Sequence, residues 1–310
     1  MQTPVAMIFF NRPETLARVF ARVAAARPPK LFLIADAPRP HHPTDAARCA
    51  AARAVVERVD WPCEVVRDYA PENLGCGMRP ATGLTNVFAQ VDRAIVLEDD
   101  CVPDPSFFPF CDEILERYRN DERIAHVAGN NFQQGRRYGD ASYFFSRHNI
   151  CLGGWATWAR AWQPFDMELK AWPALRETRW LEYIVGEPRG AAHWRRIFDL
   201  AHAAGKQATY SDYQWTFACW LQNGLAVIPN TELCQNIGFG DDATHTFGND
   251  SPWRVERTEP VTFPLRHPPA IMPDAEADLA FNERVVASEP QPVPPRKLRR
   301  LVKRALSAFK

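Results

Sequence analysis

The chain carries no net charge: among 310 residues, 37 Lys and Arg balance 37 Asp and Glu. That excludes the global basic field of a nucleic-acid binder, leaving only local patches. Long apolar runs are also missing, and none approaches the roughly 18 residues that a membrane span needs. The eight cysteines (49, 63, 76, 101, 111, 151, 219 and 234) contain no C-x-x-C pair. They read as reduced thiols of a cytosolic protein without a zinc site. The opening residues hold no basic n-region, and Val5–Phe10 is too short for a cleavable apolar segment. The expectation is a cytoplasmic protein. No internal repeat is visible. What remains is ordinary globular composition, 46% hydrophobic and 24% charged, in a chain long enough for one large domain or two tightly joined ones. Ten tryptophans, most of them between 155 and 253, suit either a large core or stacking on sugars and bases.

The first half alternates strand and helix. VAMIFF (5–10) reads as a buried strand, with Asn11 as a cap and Pro13 in the first turn of a helix whose Leu16, Val19, Phe20 and Val23 share a face. KLFLIA (30–35) is a second strand, and Thr44 caps a helix over 45–59. Cys63–Val66 is a third strand, residues 68–78 form a loop, and 81–91 form a helix. Residues 94–97 are a strand, 106–119 a helix and 124–128 a further strand. Strands spaced by helices imply βαβ units, a mostly parallel sheet, and ligands at the carboxyl ends of the strands. Asn11, Arg12, Asp36, Arg39 and Glu98–Asp100 then share one rim. In the second half, 143–145 and 225–228 read as strands and 174–185, 191–204 and 212–222 as helices. From Pro229 the chain reads mostly as loop.

The stretch AIVLEDDCVPD (94–104) organises the rest. A buried strand runs into Glu98, Asp99 and Asp100, and clustered like charges repel and resist desolvation. Such a cluster is explained by a cation, and hard oxygen ligands suit Mg²⁺ or Mn²⁺ with phosphate oxygens; the alternative is a solvated loop or a helix cap. Arg79, after the Asn73–Gly77 turn, is placed to bind diphosphate bidentately opposite that cluster. Arg39 is a weaker phosphate partner. Asp36 is either a turn residue before Pro38 or an acceptor for a base edge or ribose hydroxyl.

The pieces PVAMIFFNRP, LFLIADAPR, ENLGCGMR, IVLEDDCVPDPSFFPF, GWATWARAW, SDYQW and NIGFGDDATHT, from residue 3 to about 246, together resemble a GT-A fold glycosyltransferase of the bacterial family 2-like kind. The layout is also similar to the N-acetylglucosaminyltransferase I group. The resemblance implies a GT-A-like (Rossmann-like) α/β fold, with Asp100 as direct metal ligand and Glu98 and Asp99 near the ribose or the metal's water shell. It places Arg12 and Asp36 on the nucleotide, usually a uridine-like one, and Trp155 and Trp158 on the acceptor side of the cleft. For one of the two, core packing is the competing reading. Asp212 is implied as the base of an inverting transfer, a role compatible with capping its helix. His245 is implied as an additional metal ligand, against the ordinary reading of a structural or exposed histidine.

Four prolines (290, 292, 294 and 295) mark a linker. Beyond it, 296–310 carries seven Lys and Arg and no acid, with Leu298, Leu301, Val302, Ala305, Leu306 and Phe309 on one stripe. This is the pattern of a helix lying on an anionic membrane surface; a docked helix or a disordered tail are the alternatives. The expected division is 1–130 for nucleotide sugar and metal, 131–250 for acceptor and catalysis, 251–288 as an extension and 289–310 as linker and tail. The expected activity is transfer of a sugar from a nucleotide donor, UDP-linked by preference, to a glycan or lipid-linked glycan hydroxyl with Mn²⁺ or Mg²⁺. The protein would sit in the cytoplasm or at the inner membrane face. A nucleotidyltransferase would carry a Gly-rich basic loop where this chain has FFNRP, and a non-catalytic carbohydrate-binding protein would not need Asp100 and Asp212.

Overall fold

Alternating apolar residues build the sheet. In β1 (Val5–Phe9), Val5, Met7 and Phe9 face one core while Ala6 faces another. Helix α1 (Pro13–Ala26) follows, then β2 (Lys30–Ala35), α2 (Asp45–Val56), β3 (Glu64–Tyr69), α3 (Gly75–Phe88) and β4 (Arg93–Glu98). In β4, Ile95 and Leu97 join the first core and Ala94 and Val96 the second, so both faces of this strand are covered. Next come β5 (Cys101–Pro103), α4 (Phe107–Arg117), β6 (Ile124–Ala128), β7 (Tyr143–Ser146) and β8 (Trp155–Trp158). Helices α5 (Ala159–Trp162), α6 (Trp172–Leu175), α7 (Trp180–Val185), α8 (Pro188–Ala204) and α9 (Asp212–Leu221) precede β9 (Leu225–Pro229), β10 (Cys234–Asn236) and α10 (Ala275–Ala287). This computed structural model describes residues 1–238 and 253–287.

The main sheet has eight strands in the order β3-β2-β1-β4-β8-β6-β9-β7. The pairs β1–β2, β1–β4, β2–β3 and β6–β9 are parallel; β4–β8, β6–β8 and β7–β9 are antiparallel. Helices α1, α2 and α4 cover one face, and α3, α5 and α9 the other. The α/β class expected from the sequence is the class found: a mostly parallel sheet flanked by helices. A two-stranded sheet, β10 antiparallel to β5, adds to the rim beside β4. Among the described residues no helix is long and apolar enough to cross a membrane, and no disulfide joins any of the eight cysteines.

Several expected elements shift. Helix α3 begins at Gly75 rather than near Ala81, because its start is capped by a residue distant in sequence (below). The expected 174–185 helix is two short ones, α6 and α7. Residues 155–158, expected to line a cleft, are a central strand, and α10 lies where loop was expected. The tryptophan density is resolved as packing: Trp172, Trp194 and Trp220 form a helical core with Phe198 and Phe217.

Candidate active site

Register brings the acids to the rim. Ile8 of β1 lies beside Glu98 of β4, so the Phe10–Arg12 turn leaves β1 next to Asp99 and Asp100. The Phe10 N–H donates to Asp99 Oδ2 at 3.2 Å. Arg12 reaches across both acids: Nη2 pairs with Asp99, and Nη1 donates to Asp100 Oδ2 at 3.0 Å. Asp100 is fixed further by the Cys101 thiol, 3.3 Å from Oδ1, and its carbonyl accepts the Ile237 N–H at 2.8 Å. Gly238 lies so close that a Cβ there would sit 2.1 Å from Asp100 Oδ2.

The electrostatics of this cluster are those of crowded acid. Glu98 is pushed up to about 8, by loss of hydration and then by the charges of Asp100, Asp99 and Asp212. Its side chain is open to solvent, which screens the neighbouring charges. Asp99 is pushed up to about 6 by burial, against the pull of Arg12. Burial works against the Arg12 charge, but Asp99 and Asp100 hold the guanidinium more firmly protonated than usual.

Asp212 comes from a separate element, as the first residue of α9. Its charge is felt by Glu98, by the Cys76 thiol at the start of α3 and by Cys151. What brings it there is a close backbone contact between α3 and the loop before α9. A Cβ at Gly77 would meet the Ala208 carbonyl oxygen at 2.0 Å, and the Cys76 thiol donates to the Thr209 carbonyl at 2.9 Å. Because the obstacle is backbone on both sides, Gly77→Ala is expected to move the Asp212 loop. The expected cost is about 1–3 kcal/mol of stability and a fall in activity larger than the stability loss explains. Parallel melts and rate assays check this, and unchanged activity would refute it.

The remaining sequence candidates fall into place as follows. Asp36 is 5% exposed, and its carboxylate accepts from the N–H groups of Ala37, Leu74 and Gly75 and from Asn73 Nδ2, at 2.8–3.2 Å. With two oxygens occupied by four donors, it caps α3 and holds the loop rather than presenting a free acceptor to a nucleotide. Arg39 is spent on Asp45, with Nε and Nη2 donating at 2.6 and 3.0 Å. Arg79 is buried, pairing with Asp68 Oδ1 at 2.8 Å and donating to the Asp68 carbonyl at 2.6 Å, so it faces β3 and not the acids. Trp155 and Trp158 are both buried: positions three apart on a strand point to opposite faces, and each fills a core. Trp155 stacks on His126 and Trp215, and Trp158 donates to the Leu115 carbonyl. The expected sugar-stacking role of these two residues is therefore corrected to core packing. Asn11 does not cap α1; its amide donates to Asp45 Oδ1 at 2.9 Å. Asp45 itself escaped the sequence reading. It is fully buried, joins Asn11, Arg39 and His42 at the rim, and is held ionised first by the Arg39 bonds. His245 and the basic tail 296–310 lie outside the described residues.

Among the described residues no three side chains of metal-ligating type are grouped to hold an ion. The donor chemistry still fits a hard divalent cation: Mg²⁺ and Mn²⁺ sites of this kind use one or two carboxylates and complete the shell with substrate phosphates and water. Asp100 and Glu98 are the carboxylates that would hold such an ion. A hollow of about 480 Å³ opens elsewhere, along β7 between residues 138–145 and 266–274. None of the rim acids lines it, and the converging charges locate the site better than the hollow does.

No family model and no curated protein matches the chain. Among solved structures it is similar to a cytidylyltransferase from Leptospira borgpetersenii serovar Hardjo-bovis, at 11% identity over 57% of this chain and 71% of that one. It is also similar to a UDP-glucose pyrophosphorylase complexed with UDP-glucose, at 8% identity over 53% and 78%. A third likeness is to mouse xyloside xylosyltransferase 1 in its apo form, at 13% identity over 70% and 81%. The TM-score is 0.32 in each case, too low for any of the three to bear on substrate or reaction.

Proposed function

We propose that the chain is a glycosyltransferase that moves a sugar, with inversion, from a nucleoside diphosphate donor (UDP-linked by preference) to a hydroxyl of a glycan or lipid-linked glycan. The observation that supports this reading best is the convergence of Arg12, Glu98, Asp99 and Asp100 on the strand-end rim with Asp212 facing them from α9. The arrangement has the two halves such a transfer requires. One side holds a diphosphate through its counter-ions, and the other offers a base.

In this reading the acceptor hydroxyl lies against Asp212. Its oxygen attacks the anomeric carbon as the Asp212 carboxylate takes the proton, and the bond to the diphosphate oxygen breaks. The start of a helix favours the ionised form of Asp212. A divalent cation held by Asp100, when bound, supplies Lewis-acid stabilisation for the charge on the leaving diphosphate. Arg12 adds positive charge at the same place. Asp36, Asn73 and Asp45 hold the loops that surround the donor.

The purified protein with UDP-sugars and Mn²⁺ is expected to release UDP, and both excess chelator and Asp100→Ala are expected to reduce that release to background. Full activity in chelator would exclude the metal, and UDP release unaltered by Asp100→Ala would exclude the site. The nucleotidyltransferase alternative is separated by the product: pyrophosphate formed from a nucleoside triphosphate and a sugar phosphate would replace the proposal.

A further inference from the structure

Arg12 occupies the position at the acid cluster where an incoming cation would bind. Its guanidinium spans Asp99 and Asp100, with one nitrogen on each, and Gly238 packs against the Arg12–Asp100 pair. The chain thus satisfies its own acids with an internal cation. A divalent ion entering this site meets a carboxylate that already has a partner, so it must displace that partner or share it. The diphosphate of a donor changes the balance. It brings negative charge that a guanidinium binds bidentately, and it brings the oxygens that complete a hard cation's shell.

We propose that Arg12 is a partner-switching residue. In the donor-free protein it holds Asp99 and Asp100 and keeps the divalent cation out. When donor binds, Arg12 passes to the diphosphate and Asp100 is released to the metal. Metal uptake is then promoted by donor, and the free enzyme holds metal weakly. This rests on the glycosyltransferase reading of the same site. It adds an order of binding and a residue that enforces it. The neighbours permit the exchange. Asp99 keeps the Phe10 N–H, and Asp100 keeps the Cys101 thiol, when the guanidinium leaves. The Arg12 side chain is one-fifth exposed, so it lies at the surface of the rim and is not sealed in the core.

The test is a Mn²⁺ titration followed by electron paramagnetic resonance, without nucleotide and with saturating UDP, GDP, CDP or dTDP in turn. In the wild-type protein the nucleotide is expected to tighten Mn²⁺ binding at least about tenfold. In Arg12→Met, which keeps side-chain length without charge, donor-free Mn²⁺ binding is expected to tighten by about tenfold and nucleotide binding with Mn²⁺ to weaken by about tenfold. Opposite signs for the two ligands are the mark of a switch, because a merely structural residue would weaken both. Equal Mn²⁺ affinity with and without a nucleotide that itself binds would overturn the switch and leave the transferase reading standing. Failure of every nucleotide to bind would overturn both. If Arg12→Met does not fold, Arg12→Lys, which keeps the charge but cannot span both acids, takes its place with the same two opposite signs expected, and loss of both affinities in it would overturn the switch.

Discussion

Asp212→Asn is expected to lower the turnover number for transfer by about 10²–10⁴-fold, with little change in UDP affinity. Asp212 stands on the first turn of α9, across from the acids that would face the donor, and near enough to Glu98 to raise its pKa. Asp212 follows the N-cap position, Ser211, and asparagine keeps its size and shape, so this substitution removes the charge and the base with little change in packing. Asp212→Ala also removes the side chain's contacts and is expected to lower the melting temperature as well. The two variants together separate catalysis from a structural role. If Asp212→Asn stays within about threefold of wild type in kcat, Asp212 is not the base.

Glu98→Gln is expected to move stability and activity in opposite directions. In the folded protein Glu98 titrates near 8, against an ordinary value of 4.5. Between those pH values the unfolded chain has shed a proton that the folded chain keeps, so stability falls as pH rises across that window. Asp99, raised from 3.8 to about 6, acts in the same direction over its own lower window. Removing the Glu98 charge abolishes the larger of these slopes. Because Glu98 opens to solvent, the gain is screened: the melting temperature at pH 8 is expected to rise about 2–4 °C, with no gain at pH 4. Activity at pH 8 is expected to fall at least about tenfold, since a preorganised charge at the proposed cation and donor site is lost. A lower melting temperature for the variant at pH 8 would show that Glu98 is stabilised in the cleft and that the crowding of acids is not destabilising the donor-free protein.

The parts of this molecule that were legible in the sequence are those written locally. The runs VAMIFF, KLFLIA and AIVLEDD are strands because their apolar residues are continuous and end in polar turns, and the acid cluster announced itself by breaking such a run. Asp212 was legible as the opening of a helix. The illegible parts depend on partners far along the chain. Nothing near Gly75 shows that α3 starts there, because the capping carboxylate is Asp36. Arg79 and Arg39 look like phosphate ligands until Asp68 and Asp45 are seen beside them. The GGWATW segment has both the glycines of a loop and the aromatics of a binding surface. It is a strand because β4 and β6 flank it, a circumstance no local pattern encodes. Asp45 was hidden for the same reason, since its four-residue cluster assembles from two separate turns.

That strand has a mechanical consequence. β8 enters antiparallel between β4, which delivers the acids, and β6, which leads through β9 to the edge of the sheet. Backbone hydrogen bonds therefore run from β4 through β8 and β6 to β9, with one irregularity between Ile124 and His126, and a Trp from β8 is driven into the core on each face. The strands on either side of β8 cannot swing apart about a hinge without breaking this ladder. Movement at the strand-end rim must come from loops over a fixed floor. In amide exchange, β4, β8 and β6 should lose protection together as one cooperative unit, at the rate of global unfolding and with or without nucleotide.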